Sequence, residues 1–268
     1  MDVHRLGFAA SYRPGKEAVY KAFDSGINFF FGFGIDTHLT KALREIAKNN
    51  REKIIIATGA YNTVARFQNV RKALEKRLRQ FRTDYIDIFM DLGIMKPKHF
   101  PDRIKEELYK LKDEGKIKFT GISCHDRKFV GQLASNNALD TVMIRYNAAH
   151  RGAEEDIFPF VKANNTGVIS YTATRWTYLI RKQKGWSEDK IPTAGQCYRL
   201  TCARLRVVQA LMSRSTGRYS RRSWRWRLSW ARQTRKIWSG SGGWCGGRDL
   251  TGRMVEVASA DAERVYNH

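Results

Sequence analysis

A phenol and two imidazoles stand just past short apolar runs in this chain of 268 residues. Tyr61 follows "IIIATGA", His125 follows "FTGISC", and His99 sits in "KPKHFPD". A tyrosine hydroxyl can pass a proton to a developing oxyanion, and an imidazole can polarise or protonate an oxygen near neutral pH. Asp36 and His38, in "GIDTH", offer a further carboxylate and imidazole. Each also has a plain structural reading: Tyr61 as a rim aromatic, His99 as a solvated loop residue, His125 as a hydrogen-bonded loop anchor. Cys124, Cys197, Cys202 and Cys245 are scattered, with no CxxC and no histidine at ligand spacing. They read as reduced thiols of a cytoplasmic protein, and no metal site is expected. The "FGFG" at residues 31–34 is a lone GxG without the full glycine-rich pattern, and is not read as a nucleotide loop.

Groups this far apart in sequence need a frame to bring them together. Eight short apolar or β-branched runs supply strand candidates: "HRLGFAA", "NFFFGF", "KIIIATGA", "YIDIFMDLGI", "IKFTGISCH", "TVMIRYNAA", "GVISYTAT" and "RVVQALMS". Runs without polar alternation suit strands covered on both faces. Amphipathic helical patterns lie between them. "GKEAVYKAFDSG" stops at a glycine, and "DRIKEELYKLKDEGK" opens on Asp102 as an N-cap and also stops at a glycine. Within the second, Ile104, Leu108 and Leu111 make one apolar face. Alternation of this kind implies parallel strands joined by right-handed crossovers. Eight such units in roughly 210 residues fit a (β/α)8 TIM barrel, with an open doubly wound sheet as the rival. In a barrel the chemistry gathers where strands end at their C-terminal side. That directs attention to residues 31–36, 59–61, 91–94, 123–125, 147–150 and 171–176.

Composition separates two regions. Hydrophobic content of 42% suits a globular protein. No apolar run is long enough to span a bilayer, and the N-terminal residues lack a secretory pattern. Net charge is +23, which alone would suggest a polyanionic partner. Up to Lys190, however, acids and bases are mixed in ordinary proportion. Beyond it one lysine remains, Lys236, and five of the seven tryptophans fall between Trp224 and Trp244. Residues 1–213 are therefore read as the barrel and residues 214–268 as a basic Arg/Trp/Gly-rich tail.

With these segments in order, the chain resembles the aldo/keto reductase family. "RLGFAAS", "SGINFF", "IIIATG", "TDYIDIF", "LKDEGKIKFTGIS", "RYNAAHRGAEEDIFP" and "GVISYTATRW" are similar to its successive strand-end motifs, from residue 4 to about 199. The resemblance implies a barrel that binds NADP(H) in extended form and reduces small-molecule carbonyl substrates. It also implies an Asp, Tyr, Lys and His set, with tyrosine as the general acid. Carried onto this chain, those four positions hold Phe31, Asp36, Gly59 and Leu92 or Gly93. The set is not matched, which leaves Tyr61 and His125 as substitute catalytic candidates. Among cofactor positions, Ser123 matches the serine that contacts the nicotinamide amide, and Tyr171 matches the aromatic that stacks on its ring. Cys124 stands where asparagine is usual and Met143 where glutamine is usual. The resemblance thus implies weakened cofactor binding and an impaired or inactive enzyme.

The tail admits three readings. Arginine supplies phosphate contacts and tryptophan supplies stacking, so a non-catalytic barrel with a nucleic-acid-binding tail is one. A cationic segment at a membrane surface is another. The third is that "RSTGRYSRRSWRWRLSWARQTRKIWSGSGG" is translated out of frame. Starting each codon at the third base of the present one gives an acidic amphipathic helix, a Gly-Pro break and a second helix opening on acids. This resembles the family's closing helices. On that reading no specific nucleic acid and no membrane is expected as a partner. The barrel is then incomplete at its last helix, and marginal folding is expected, since lost packing of this kind costs several kcal/mol against a total of about 5–15.

Overall fold

The computed structural model of the chain describes residues 2–9, 15–32, 36–63, 66–67, 69–203 and 207–212. The tail at 214–268 and the boundary drawn at 213 lie outside the described residues. All eight expected strands form: β1 (Leu6–Ala9), β2 (Phe29–Phe31), β3 (Ile55–Thr63), β5 (Ile86–Ile94), β6 (Ile117–Cys124), β7 (Thr141–Arg145), β8 (Gly167–Tyr171) and β9 (Val207–Met212). A two-residue strand, β4 (Arg66–Phe67), folds back antiparallel on β3. Each of the eight pairs in parallel with the next, and β9 returns to β1 through Leu6↔Gln209 and Ala9↔Met212. The sheet is thus a closed (β/α)8 barrel, and the open doubly wound arrangement is excluded.

The helices are α1 (Lys16–Asp24), α2 (Thr37–Asn50), α3 (Val70–Phe81), α4 (Asp102–Asp113), α5 (Arg127–Ser135), α6 (Ala153–Asp156), α7 (Phe158–Ala163) and α8 (Ala194–Ala203). Gly26 and Gly115, just past α1 and α4, take φ of +86° and +70°, the left-handed stop that glycine allows. The start of α4 differs from the sequence expectation. Pro101 occupies the cap position with extended backbone, so Asp102 becomes the first helical residue and pairs with Lys105 at 2.7 Å. The closing helix expected after β9 lies outside the described residues.

Alternation along the strands makes two apolar shells. Phe29, Phe31, Ala57, Met90, Leu92 and Met143 point into the lumen, with Val3 packed against them. Phe30, Ile56, Phe89, Ile122 and Ile144 point outward into a shell completed by helix residues such as Leu43, Leu74 and Leu108. Phe29, Phe30 and Phe31 are essentially fully buried, which explains an unbroken phenylalanine run in a strand only three residues long. Burial of each such ring contributes about 1.5–3 kcal/mol.

The lower end, where strands begin, carries a polar knot. Asp87, with its side chain 2% exposed, accepts from Arg51 at 2.8 Å and pairs with Lys118 at 3.3 Å. Its Oδ2 also accepts the Ile56 backbone N–H at 2.9 Å. The Tyr85 ring lies between both cations, 3.9 Å from Arg51 and 4.0 Å from Lys118. A second lower contact joins Asp140 to Lys112 at 2.8 Å and to the backbone and hydroxyl of Thr120. These links fix the stagger of β3, β5, β6 and β7, and hence where each strand ends at the mouth.

Candidate active site at the barrel mouth

Ser123, Met143 and Ile169 stand level with one another on β6, β7 and β8, and one step higher Arg145 is the register partner of Tyr171. By alternation Ser123, Met143, Arg145 and Tyr171 share the lumen side, while Val142 and Ile144 face the helices. Tyr171 is 8% exposed, and burial pushes its phenol above the usual tyrosine range, with Arg145 opposing. Ser123 is half-buried beside the lumen, whereas Cys124 turns outward into the helix-side shell, where burial raises its thiol to about 11.

On the opposite wall, Tyr61 extends the lumen row of Ile55, Ala57 and Gly59, and packs against the lumen cluster. Burial is the main cause that pushes its phenol up; Asp36 and Tyr171 add to this and Arg77 opposes it. Asp36, Arg77 and Tyr61 therefore form one electrostatic group between α2, α3 and β3. Arg77 itself is 6% exposed on α3, bonded through Nη1 to Gln80 at 2.8 Å, and burial lowers its guanidinium. His38 stands exposed on α2 and His99 half-buried in the turn at Pro97–His99.

The four positions carried over from the family resolve individually. Phe31 and Leu92 are 1% and 2% exposed in the lumen cluster, and Leu92 rather than Gly93 is the lumen-facing residue, because Gly93 lies in a β5 irregularity with φ +81°. Asp36 caps α2 at 8% exposure. Gly59 has no room for any side chain: a Cβ there would lie 2.0 Å from the Met90 carbonyl oxygen and 2.8 Å from Leu92. Asp91, next to Leu92 but on the outward face, is 3% exposed, with no partner for Oδ2 among the described residues. Burial alone raises its carboxyl to about 7.

His125 sits at the rim after β6, its backbone N–H donating to the Ile94 carbonyl at 2.9 Å, so the loop-anchor reading holds for its main chain. Surrounding protein and the Arg145 cation hold its imidazole below the ordinary value. Two residues of the 147–150 strand end, to which the sequence directs attention without assigning them a role, are Asn147 and His150. Asn147, fully buried, donates from Nδ2 to the Thr172 carbonyl at 2.8 Å and accepts the Ala149 N–H at 3.0 Å on Oδ1. That same oxygen lies 3.1 Å from His150 Nδ1, which must therefore carry the proton. Burial first, then Arg145, Arg175 and Arg127, lower the His150 imidazole to about 4. The signal that exposes Arg145 is simple alternation: if Met143 faces the lumen, so does the residue two further on.

The loop after β8 is strained. Thr172, Arg175, Trp176 and Thr177 all have φ between +47° and +73°. Left-handed backbone is costly for β-branched threonine, by about 1–3 kcal/mol per residue, and such strain clusters at binding and catalytic sites. The arrangement as a whole offers the Tyr171 aromatic platform, the Ser123 hydroxyl, a second lumen phenol in Tyr61 and a concentration of cations.

Comparison with known proteins agrees with this architecture. The model of the "Aldo/keto reductase family" matches residues 12–232, which extends past the boundary drawn at 213. The aldo-keto reductase YhdN of Bacillus subtilis (strain 168) is 27% identical over 175 residues, 58% of this chain and 50% of that protein. L-galactose dehydrogenase of Arabidopsis thaliana is 29% identical over 202 residues, 63% of this chain and 61% of that protein. The chain thus spans about half to three-fifths of the length of these relatives. Among solved structures, the holo form of aldo-keto reductase AKR11C1 from Bacillus halodurans superposes with a TM-score of 0.69 at 17% identity, covering 97% of this chain and 94% of that one. An aldo/keto reductase from Klebsiella pneumoniae, in complex with NADP and acetate, gives 0.67 at 18%, covering 98% and 92%. With strands, order of motifs and family model in agreement, the chain belongs to the aldo/keto reductase family.

Proposed function

We propose that this chain is an NADP(H)-binding aldo/keto reductase barrel, built for small carbonyl or alcohol substrates, whose proton-transfer set is lost. The carrying observation is the lumen wall at Phe31, Gly59 and Leu92: two buried apolar side chains and a backbone contact stand where ionisable groups would be needed. Asp36, in the remaining position, is acceptor-only when ionised and cannot donate as a phenol does.

Tyr171 keeps an aromatic face at the mouth and Ser123 keeps a hydroxyl beside it, which suits a nicotinamide ring. Met143 brings a thioether and Cys124 turns away, so two amide-binding side chains are missing. The ring is thus accommodated and its amide is held by fewer hydrogen bonds. When bound, the cofactor supplies a hydride. The protein's part is to present the Tyr171 ring, orient through Ser123 and hold a proton at an acid near the carbonyl. Tyr61 is the lumen phenol available for that last role, but burial makes it a weaker acid than a free phenol.

Titration of the full chain with NADPH, followed by fluorescence, should show binding that weakens at least tenfold in Tyr171→Ala. Turnover on generic aldehydes should be absent or slow. No NADPH binding would overturn the cofactor reading, and fast turnover would overturn the impaired one. In the latter case Tyr61→Phe and His125→Asn locate the acid. For the tail, the out-of-frame reading is our proposal, and the coding DNA near Ser213 tests it: insertion of one base must open a long acidic frame.

A further inference from the structure

We propose that Arg145 is an anchoring site for a substrate carboxylate, so that the mouth is shaped for oxo acids whose carbonyl and carboxylate are only a few bonds apart. Arg145 is the last residue of β7, on the lumen side above Met143, and half-buried. Among the described residues its side chain has no carboxylate partner and makes no hydrogen bond, while its backbone pairs with β8. In the sequence no acidic residue occurs between Asp189 and Asp249, and the short stretches at 10–14, 33–35 and 64–68 contain none; Asp249, Glu256, Asp261 and Glu263 lie outside the described residues. A half-buried guanidinium left without an anion is costly, and its planar donor fork matches a carboxylate in two parallel hydrogen bonds.

The surroundings favour an incoming anion over an internal one. Three arginines of the adjoining segments are already engaged: Arg127 with Asp156 at 2.7 Å, Arg151 with Glu154 at 2.8 Å, and Arg175 over the Tyr178 ring at 4.4 Å. Glu154, the acid on this side of the mouth, is held by Arg151 and by the Tyr146 hydroxyl at 2.5 Å. His150 and His125 both feel Arg145 and are held toward the neutral form, so neither repels it nor neutralises it. The register pairing Arg145↔Tyr171 then fixes the span. Neighbouring strands lie about 4.8 Å apart, so a carboxylate on Arg145 sits within a short molecule's length of the Tyr171 ring. Placing the carbonyl near that ring rests on the reductase reading above; the anion site itself does not.

The test needs neither cofactor nor turnover. Pyruvate and benzoylformate are titrated against the full chain by ligand-observed NMR, with methyl pyruvate, methyl benzoylformate and inorganic phosphate as comparisons. The acids should bind, the esters at least tenfold more weakly. Arg145→Met should lose that preference while leaving ester binding unchanged, and Arg145→Lys should keep part of it. In the unsubstituted chain, phenylglyoxal modification of Arg145, mapped by peptide mass, should be slowed by the acids and not by the esters. Failure of the acids to bind, equal binding of acid and ester, or no effect of Arg145→Met would each overturn the proposal. Tighter binding of inorganic phosphate than of either acid would overturn it in favour of a phosphate subsite. A negative NADPH titration would remove the reductase reading and leave these results to stand or fall separately.

Discussion

Where the strands begin, Asp87 meets Arg51 at 2.8 Å and Lys118 at 3.3 Å, each cation stacked on Tyr85. Where they end, among the described residues, Arg145 meets no carboxylate and Asp91 lies buried with an oxygen unmatched. Asp87 at the lower end is matched by two cations; at the mouth Arg145 and Asp91 have no counter-charge among the described residues. The motif that most clearly carries the family resemblance, "DYIDIF", is the lower knot itself, since it contributes Tyr85 and Asp87. Conserving that end preserves the barrel. It says nothing about the far end, where the side chains that would do chemistry stand. In barrels the lower face is the stability face and the upper face the catalytic one. Similarity in sequence therefore reports the scaffold here, and the activity must be argued separately.

Substitutions can break this contrast, beginning with the largest. Asp87→Ala leaves Arg51, with its side chain 15% exposed, without its anion, and should cost about 3–5 kcal/mol in urea unfolding. A loss as small as that of Lys105→Ala, on an exposed ion pair, would mean that the lower knot does not hold the barrel.

Asp91→Asn tests the mouth end through pH. Its carboxyl has a value of about 7 when folded against ~3.9 when unfolded, so the folded chain binds more protons across that window. Stability should fall as pH rises from 4 to 7, by on the order of 3 kcal/mol in total. Asp91→Asn should flatten that decline in denaturation series at stepped pH, and a parallel decline in both chains would refute the assignment.

Gly59→Ala adds a single Cβ against the Met90 carbonyl and should destabilise by about 1–3 kcal/mol, read as a lower thermal midpoint. No change would show that β3 and β5 can part without cost. His150→Asn is the smallest. With a value of about 4 when folded and ~6.5 unfolded, His150 binds more protons in the unfolded chain, so stability is lost as pH drops below 6.5. Removing it should recover on the order of 1–2 kcal/mol at pH 4.5, allowing for partial exposure.

The strands were legible because each is a short apolar run between polar or glycine stops, and the closed barrel followed from their number. The cap of α4 was misread by one residue, because Pro101 fits the extended cap position and moves Asp102 inside. Ser123 and Tyr171 were placed by resemblance, and the structure brings both to the lumen wall. Tyr61 also reaches the lumen, while His99 and His38 stay outside it. Arg145 and Arg77 were missed for different reasons. Arg145 was readable from alternation once Met143 was assigned a face. Arg77 was not, since a buried arginine on an otherwise ordinary amphipathic helix is recognisable only when α3 is docked beside Tyr61 and Asp36. The opposed values of Asp91 and His150 arise from burial, which no local pattern encodes.

The contact at Gly59 limits what this wall of the lumen can hold. A lysine can stand in for a glycine only where there is space for its side chain. Here the Met90 carbonyl lies 2.0 Å from where that side chain would have to start. The backbone leaves no room at the position, so any side chain at residue 59 would require β3 and β5 to separate first and would cost stability before it could confer any activity. The lumen wall at residue 59 is in this way closed to side chains, and a group that acts from the lumen must stand on a different wall.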